Sequence, residues 1–336
     1  MVAKTALITG ITGQDGGLLA KFLLDQKYKI IAPTRFNPDK SKLSTLGIAM
    51  HQNIEYIVYS QWSDFEGIFK QYKPDEIYHL AAMSHVGQSH IDPDKVFEVN
   101  TMWTIELLKA IKNTTPKSRF FFASSCEIFQ KDLAAPVSEK ASKAPNNPYG
   151  ISKLSAHLMV QYYRDVVGLF TCNGILFNHE SEIRDKSFVS KKICREVARI
   201  VKNGGGPLFL GNIEAKKDWG YAPDYVQFFQ SILQQEKAQD YVLSTGVLHS
   251  VQDMVNMAFK SLNYTITWQG EGLACKAINN NGEIVVSIKQ AFFRPLDKRF
   301  LIGDNSKAAK KLDFNIMTPF KDWVKSMTLI EYKKLS

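Results

Sequence analysis

The chain has 336 residues, 45% of them hydrophobic and 22% charged, with a formal net charge of +9. That length buries a large core as one large or two smaller domains, and the composition is that of a globular protein. Its lysines are scattered, with doublets such as Lys191-Lys192, Lys216-Lys217 and Lys310-Lys311 but no long basic arm, which argues against nucleic acid, and no apolar run approaches the ~18 residues of a membrane helix.

The chain opens on Thr5-Ala6-Leu7-Ile8-Thr9, a short β-prone apolar run, followed by Gly10-Ile11-Thr12-Gly13-Gln14-Asp15-Gly16 and a helix-like stretch from Gly17 to Leu24. A core strand at this position leaves no room for a signal peptide. Glycines spaced G-x-x-G-x-x-G allow a tight turn and close approach to a pyrophosphate. A helix N-terminus then offers it N–H groups and a favourable dipole. The glycine pattern alone also fits a structural turn; between a strand and a helix it reads as dinucleotide binding. The next strand, Lys29 to Pro33, ends in Thr34-Arg35 with no nearby acid. An acid there would bind a ribose 2′-hydroxyl and indicate NAD, whereas a guanidinium suits the 2′-phosphate of NADP. The alternative is a solvated arginine in a loop.

Further apolar strands are expected near 54–58, 76–80, 119–123 and 170–177, with helical patterns between them, for example from Val96 to Ile111. The alternation argues a Rossmann-like α/β fold, a doubly wound parallel sheet with a smaller C-terminal substrate-binding domain. The expected division places the dinucleotide domain at 1–177 with a returning segment about 220–248, and the substrate region at 178–219 and 249–336. Beyond about 178 the pattern is irregular, with loops at Gly204-Gly205-Gly206-Pro207 and Asn279-Asn280-Asn281-Gly282, and there is no internal repeat. Cys126, Cys172, Cys194 and Cys275 make no C-x-x-C pair or other metal spacing, as expected of reduced thiols in a cytoplasm.

Ligands of such sheets lie at the carboxyl ends of the strands. Ser124-Ser125-Cys126-Glu127 falls at that edge, directly after the strand that ends in Phe122-Ala123. Tyr149 and Lys153 follow at i, i+4, on one face of a helix. A lysine ammonium beside a phenol favours the phenolate and makes it a base for a sugar hydroxyl. Taken alone, Tyr-x-x-x-Lys also fits a surface helix turn.

The glycine turn with Ser125, Glu127, Tyr149 and Lys153 resembles the extended short-chain dehydrogenase/reductase superfamily. Several segments narrow the resemblance to its GDP-mannose 4,6-dehydratases: the turn Gly10–Gly16, Leu80-Ala81-Ala82-x-Ser84-His85-Val86 and Asn173 through Ser181. Gly211-Asn212 leading to Asp218-Trp219-Gly220, and Phe293-Arg294-Pro295 before Gly303-Asp304, extend it over nearly the whole chain. The resemblance implies an internal redox reaction on a GDP-hexose. Hydride leaves sugar carbon 4 for NADP, water is lost across carbons 5 and 6, and hydride returns to carbon 6. It implies Tyr149 as the base at the 4-hydroxyl, Lys153 as its electrostatic partner, Ser125 as a hydrogen-bond donor to the 4-oxygen, and Glu127 as the carbon-5 base. It further implies Gly10, Thr12, Gly13, Gln14, Asp15, Gly16, Arg35, Leu80, Ala81, Ala82, Tyr149 and Lys153 at the cofactor. Ser84, Asn178, Arg184, Val189, Lys192, Asn212, Lys217 and Arg294 are implied at the GDP-sugar. No metal is expected, and His85 and His179 are read as structural. The expected assembly is a homo-oligomer, a dimer or a tetramer.

The chain departs from the family pattern at Met83 (Gln in the family), Trp103 (Gly), Cys126 (a small hydroxyl residue), Pro223 (a basic or polar residue) and Gln61 (Asp). Lys217 stands for an arginine, Asp297 for a glutamate, and Phe36-Asn37-Pro38-Asp39-Lys40 for a serine-rich basic segment. These changes leave open the same dehydration on a modified sugar such as a GDP-manno-heptose. An epimerase or ketoreductase, in which Glu127 is dispensable, and a non-catalytic NADP sensor are the remaining alternatives.

Overall fold

The computed structural model describes residues 3–35, 38–61, 64–130, 136–292 and 300–335. The chain forms two compact units. The first comprises residues 1–177, 222–244 and 303–315, the second 178–221, 245–302 and 316–336.

In the first unit, seven strands make one sheet: β1 (Thr5–Thr9), β2 (Lys29–Thr34), β3 (Ile54–Val58), β4 (Glu76–His79), β5 (Arg119–Ser125), β6 (Thr171–Leu176) and, from the returning segment, β10 (Tyr241–Leu243). All are parallel, in the order β10-β6-β5-β4-β1-β2-β3. The helices of this unit are α1 (Gln14–Asp25), α2 (Ser41–Thr45), α3 (Asp64–Tyr72), α4 (Pro93–Phe97), α5 (Trp103–Thr114), α6 (Pro148–Asp165), α8 (Ala222–Leu233) and α10 (Ser306–Leu312). Side chains alternate across a strand, and β5 exploits this on both faces. Phe120 and Phe122 enter a core with Phe65, Phe69, Leu107, Ile111 and Val160 from α3, α5 and α6. Phe121 between them stacks on Phe229 of α8 at 4.6 Å. The strand order reverses between β1 and β4, so the crevice at their carboxyl ends is the topological switch point where such sheets bind ligands.

The second unit contains β7 (Asn178–Glu180), β8 (Leu208–Leu210), β9 (Lys216–Tyr221), β11 (Leu248–Ser250), β12 (Ile266–Gln269), β13 (Lys276–Asn279) and β14 (Ile284–Ile288), with helices α7 (Val189–Asn203), α9 (Val251–Ser261) and α11 (Phe320–Lys333). The strands form a three-stranded sheet, β11-β9-β7, and a four-stranded sheet, β12-β13-β14-β8. Ile193, Val197, Trp219, Val255, Phe259, Val286, Trp323 and Met327 form one core. A capping box of Ser250 and Asp253 starts α9.

Three expectations on boundaries differ from what is found, the first being that the returning segment, expected at about 220–248, is 222–244. Residues 303–315, expected in the substrate region, group with the first unit, where a parallel bridge joins Gly303 to Val137 and the Asn305 amide donates to the Ser244 carbonyl at 2.7 Å. The run expected as one strand at 170–177 stops at Leu176, and β7 begins at Asn178 in the second unit.

Candidate active site

Ser125, Glu127, Tyr149 and Lys153 all lie in the first unit, on β5, the turn after it and the first two turns of α6. β5 ends at Ser125, whose side chain accepts the Glu127 N–H at 3.2 Å and caps the turn Cys126–Ile128. This aims the backbone out of the sheet at the expected edge. Asn147 starts α6: its side-chain oxygen accepts the Gly150 N–H at 2.8 Å, and Pro148 occupies the first turn, where its missing N–H costs nothing. The Asn147 amide nitrogen donates to Glu127 Oε2 at 3.0 Å. A single side chain therefore caps the helix carrying Tyr149 and Lys153 and fixes the carboxylate. Gly150 lets α6 approach, because a Cβ there would lie 2.5 Å from the Glu127 carbonyl oxygen.

Tyr149, Lys153 and His157 recur every four residues on the buried face of α6. Lys153 is 2% exposed, donates from Nζ to the Ala123 carbonyl at 2.8 Å, and lies 4.6 Å from the Phe122 ring centre. Desolvation pulls its ammonium down to about 7, opposed by the negative charge of Asp15. His157 Nδ1 lies 3.0 Å from Ser124 Oγ, and Nε2 lies 3.7 Å from Asp240 Oδ2. Burial pushes His157 down to about 4, so the ring stays neutral. Asp240 is anchored by Arg164, Gln161 and both the backbone and the side chain of Asn173.

At the switch point, Gly10 has φ +75°, and a Cβ on it would lie 2.7 Å from the Ala81 nitrogen. A Cβ on Gly16 would lie 2.2 Å from the Gly10 carbonyl oxygen. The two glycines thus bring the first turn of α1 against the loop and the loop against Leu80, Ala81 and Ala82, leaving a backbone cradle shaped for a diphosphate. Thr12, Gly13, Gln14 and Asp15 lie on this loop and the helix start, and Gly13 caps α1 without any side-chain bond. The Ala81 N–H donates to Thr9 Oγ1 at 3.3 Å. Arg35 follows β2 and is exposed. Beside it the buried Thr34 hydroxyl has no hydrogen-bond partner among the described residues. An open cradle, an orphaned hydroxyl and a cation at the strand end fit an adenosine dinucleotide. Ser84 is exposed in the loop after β4.

Asn178, Arg184, Val189, Lys192, Asn212 and Lys217 all belong to the second unit. Asn178 and Lys217 lie on the adjacent strands β7 and β9. The Arg184 guanidinium meets Glu180 at 3.0 Å and covers Phe188 at 3.6 Å. Lys192, three residues after Val189 on α7, reaches the Phe209 carbonyl on β8 at 2.7 Å, just ahead of Asn212, whose side chain caps its own loop at Glu214. Arg294, Asp297, Phe36 and Asn37 lie outside the described residues.

Two residues were missed by sequence reasoning. The Asn147 cap was legible, since Asn-Pro before a helix is a start signal. Asn100 was not legible. It is wholly buried in a π-helical turn, Glu98–Met102, between α4 and α5. Its side chain clamps the Met83 backbone, accepting N–H at 2.9 Å and donating to C=O at 3.3 Å, and donates to Ser152 Oγ at 3.0 Å. Ser152 in turn donates to the Tyr149 carbonyl at 2.8 Å, which links the Met83 loop to the Tyr149 helix.

Residues 7–327 match the family model described as GDP-mannose 4,6 dehydratase. The GDP-mannose 4,6-dehydratase of Vibrio cholerae is 35% identical over 98% of this chain and 91% of its own length. The GDP-mannose 4,6 dehydratase of Drosophila melanogaster is 38% identical over 96% of this chain and 85% of its own. Among solved structures, dTDP-glucose 4,6-dehydratase from Bacillus anthracis in complex with NAD superposes with a TM-score of 0.80 at 18% identity, over 99% of this chain and 97% of that one.

Proposed function

Because the chain belongs to the GDP-mannose 4,6-dehydratase family, we propose that it converts GDP-mannose to GDP-4-keto-6-deoxymannose, with NADP as its resident cofactor. The observation that carries this reading is the Glu127 carboxylate held by Asn147 at the carboxyl edge of β5, next to Ser125 and at the head of the Tyr149–Lys153 helix. Elimination needs a carboxylate base there; epimerisation and simple ketone reduction do not.

The cradle from Gly10 to Gly16 with Leu80, Ala81 and Ala82 would hold the dinucleotide, and Arg35, with no acid beside it at the end of β2, favours the 2′-phosphate. When bound, the nicotinamide supplies a hydride acceptor for sugar carbon 4 and a donor for carbon 6, so no net reductant is consumed. Tyr149 takes the 4-hydroxyl proton, and the Lys153 ammonium one helical turn away favours its phenolate while it keeps its proton, up to about pH 7 in the protein without substrate or cofactor. Ser125 Oγ donates a hydrogen bond to the 4-oxygen. The 4-ketone acidifies carbon 5; Glu127 removes that proton and delivers one to the departing 6-hydroxyl, so water leaves. Ser84 and Arg294, with Asn178, Arg184, Val189, Lys192, Asn212 and Lys217 from the second unit, are assigned to the GDP-sugar. A dimer is assigned to the outer face of α6, where Ile151, Leu158, Tyr162 and Val166 make an exposed apolar stripe at helical spacing. Four free, buried cysteines accord with action in a cytoplasm.

The test is incubation of the purified protein with GDP-mannose and no added cofactor, read by mass spectrometry. Loss of one water from the nucleotide sugar is expected. An unchanged mass with an inverted stereocentre would replace this reading with epimerisation. Turnover of GDP-manno-heptose well above that of mannose would move the substrate to the heptose, a reading favoured by the partly exposed Met83 side chain, whose backbone Asn100 clamps.

A further inference from the structure

Arg35 leaves β2 with its guanidinium carbon 5.3 Å from the centre of the Trp103 indole ring. The Tyr59 phenol, just beyond β3, feels the charge of the same guanidinium, which opposes the upward push of burial on its pKa. Trp103 is only 6% exposed and opens α5, so packing fixes its ring, and Tyr59 packs tilted against Phe65 at 5.2 Å. No carboxylate pairs with Arg35 among the described residues. An aromatic wall under one face of a guanidinium leaves its N–H edge available for a bidentate anion, and indole is the strongest such wall.

We propose that Trp103 is a specificity-determining residue, which holds the Arg35 fork in place to receive a phosphate monoester on the adenosine ribose. The inference rests on the NADP reading above and deepens it. An exposed arginine just past the end of a strand is otherwise free to sample many rotamers, and ordering it on binding would weaken discrimination between phosphorylated and unphosphorylated ribose. With the fork already positioned, that discrimination is built into the free protein.

The experiment is calorimetric titration of the cofactor-depleted full chain with adenosine 2′,5′-bisphosphate and with 5′-AMP. The wild type is expected to prefer the bisphosphate. Trp103→Leu is expected to lower that preference about fivefold, the affinity equivalent of one cation–aromatic contact, with 5′-AMP binding unchanged. Trp103→Phe, which keeps an aromatic wall and guards against a folding defect, is expected to lose less. In an Arg35→Gln background, Trp103→Leu is expected to change nothing further. Equal weakening of both ligands by Trp103→Leu, or a full additional loss on top of Arg35→Gln, would overturn the assignment. A wild type with no preference would overturn the NADP reading itself, before any variant is compared.

Discussion

The side chain of Asn147 joins Glu127 to the catalytic helix: Nδ2 donates to Glu127 Oε2 at 3.0 Å while Oδ1 caps α6 at the Gly150 N–H. Helix capping and orientation of a base are usually separate tasks, and here one amide performs both. Fixing the carboxylate through the helix cap sets its distance from Tyr149 by local geometry rather than by long-range packing. The relationship can be dissected because Ser retains the cap and removes the amide.

Asn147→Ser is expected to leave thermal stability nearly unchanged and to slow carbon-5 deprotonation about tenfold. Asn147→Ala is expected to lose about 1 kcal/mol in addition, the usual value of an N-cap. Glu127→Gln is expected to lower dehydration by about 10²-fold or more. Solvent deuterium incorporation at carbon 5 separates these steps from hydride transfer, followed by cofactor absorbance. Asn147→Ser turning over like wild type would show that the contact has no catalytic role.

Gly150→Ala tests the close packing of α6 on the turn after β5. The added methyl would meet both the Glu127 carbonyl oxygen at 2.5 Å and Pro145 Cβ at 2.8 Å, and the former is backbone and cannot rotate away. We expect a loss of about 1–3 kcal/mol in urea unfolding, typical of overpacking, and a larger proportional loss in kcat as Glu127 is displaced. Unaltered kcat would mean that the helix shifts without moving the carboxylate.

Lys153 gives a pH dependence of definite sign. Its ordinary value is 10.5, and burial lowers the folded-state value to about 7. Below about 7 both states are protonated and the burial penalty is complete. Between 7 and 10.5 the unfolded chain holds a proton that the native protein has released, so stability rises with pH across that window, by as much as roughly 4–5 kcal/mol. Lys153→Met removes this contribution. The difference in urea stability, wild type minus variant, is expected to grow from pH 6.5 to pH 9.5; a constant difference would place the ammonium in a better-solvated setting.

Legibility in the sequence followed the range of the interactions concerned. β1, β2, β4 and β5 read as apolar runs because parallel strands buried on both faces carry little polar alternation, whereas β3 is an edge strand and only Ile54 of it is buried. The glycine turn was legible for its own steric reason, since Gly10 needs a positive φ and Gly16 needs to lack a Cβ. Tyr149 and Lys153 fell on one helix face as their i, i+4 spacing requires. The return of residues 303–315 was not legible: it depends on the bridge from Gly303 to Val137, and a Cβ on Gly303 would lie 2.4 Å from Ser244. Such a contact leaves no periodicity. Asn100 was hidden similarly, because a π-helical turn within a helical run has no apolar pattern of its own, and its partners Met83 and Ser152 are remote in the chain.

Two buried histidines set the acid limit of the fold. His79, between Thr9 and Thr104, is pushed down to about 3 by burial and by the nearby Lys153. His157 is pushed down to about 4; it faces Ser124 and Asp240, with the cations Lys143 and Arg164 nearby. Both have an ordinary value of 6.5. Below 6.5 the unfolded chain takes up protons that the native protein refuses, so stability is complete above that pH and falls as pH drops toward 4. The slope approaches about 1.4 kcal/mol per pH unit for each histidine. Asp240, whose carboxyl is lowered from 3.8, adds its own loss only at lower pH, as its folded-state value is passed. His157→Gln keeps an amide near Ser124 and Asp240 but cannot titrate. It is expected to be less stable than wild type at pH 7.5 by about 1–2 kcal/mol, the cost of altering a buried hydrogen bond. Between pH 6.5 and 4.5 it is expected to lose stability less steeply, with His79 and the partly buried His249, also lowered from 6.5 by burial, still titrating. Urea midpoints over that range provide the comparison, and parallel slopes for the two proteins would mean that His157 is protonated in the native state.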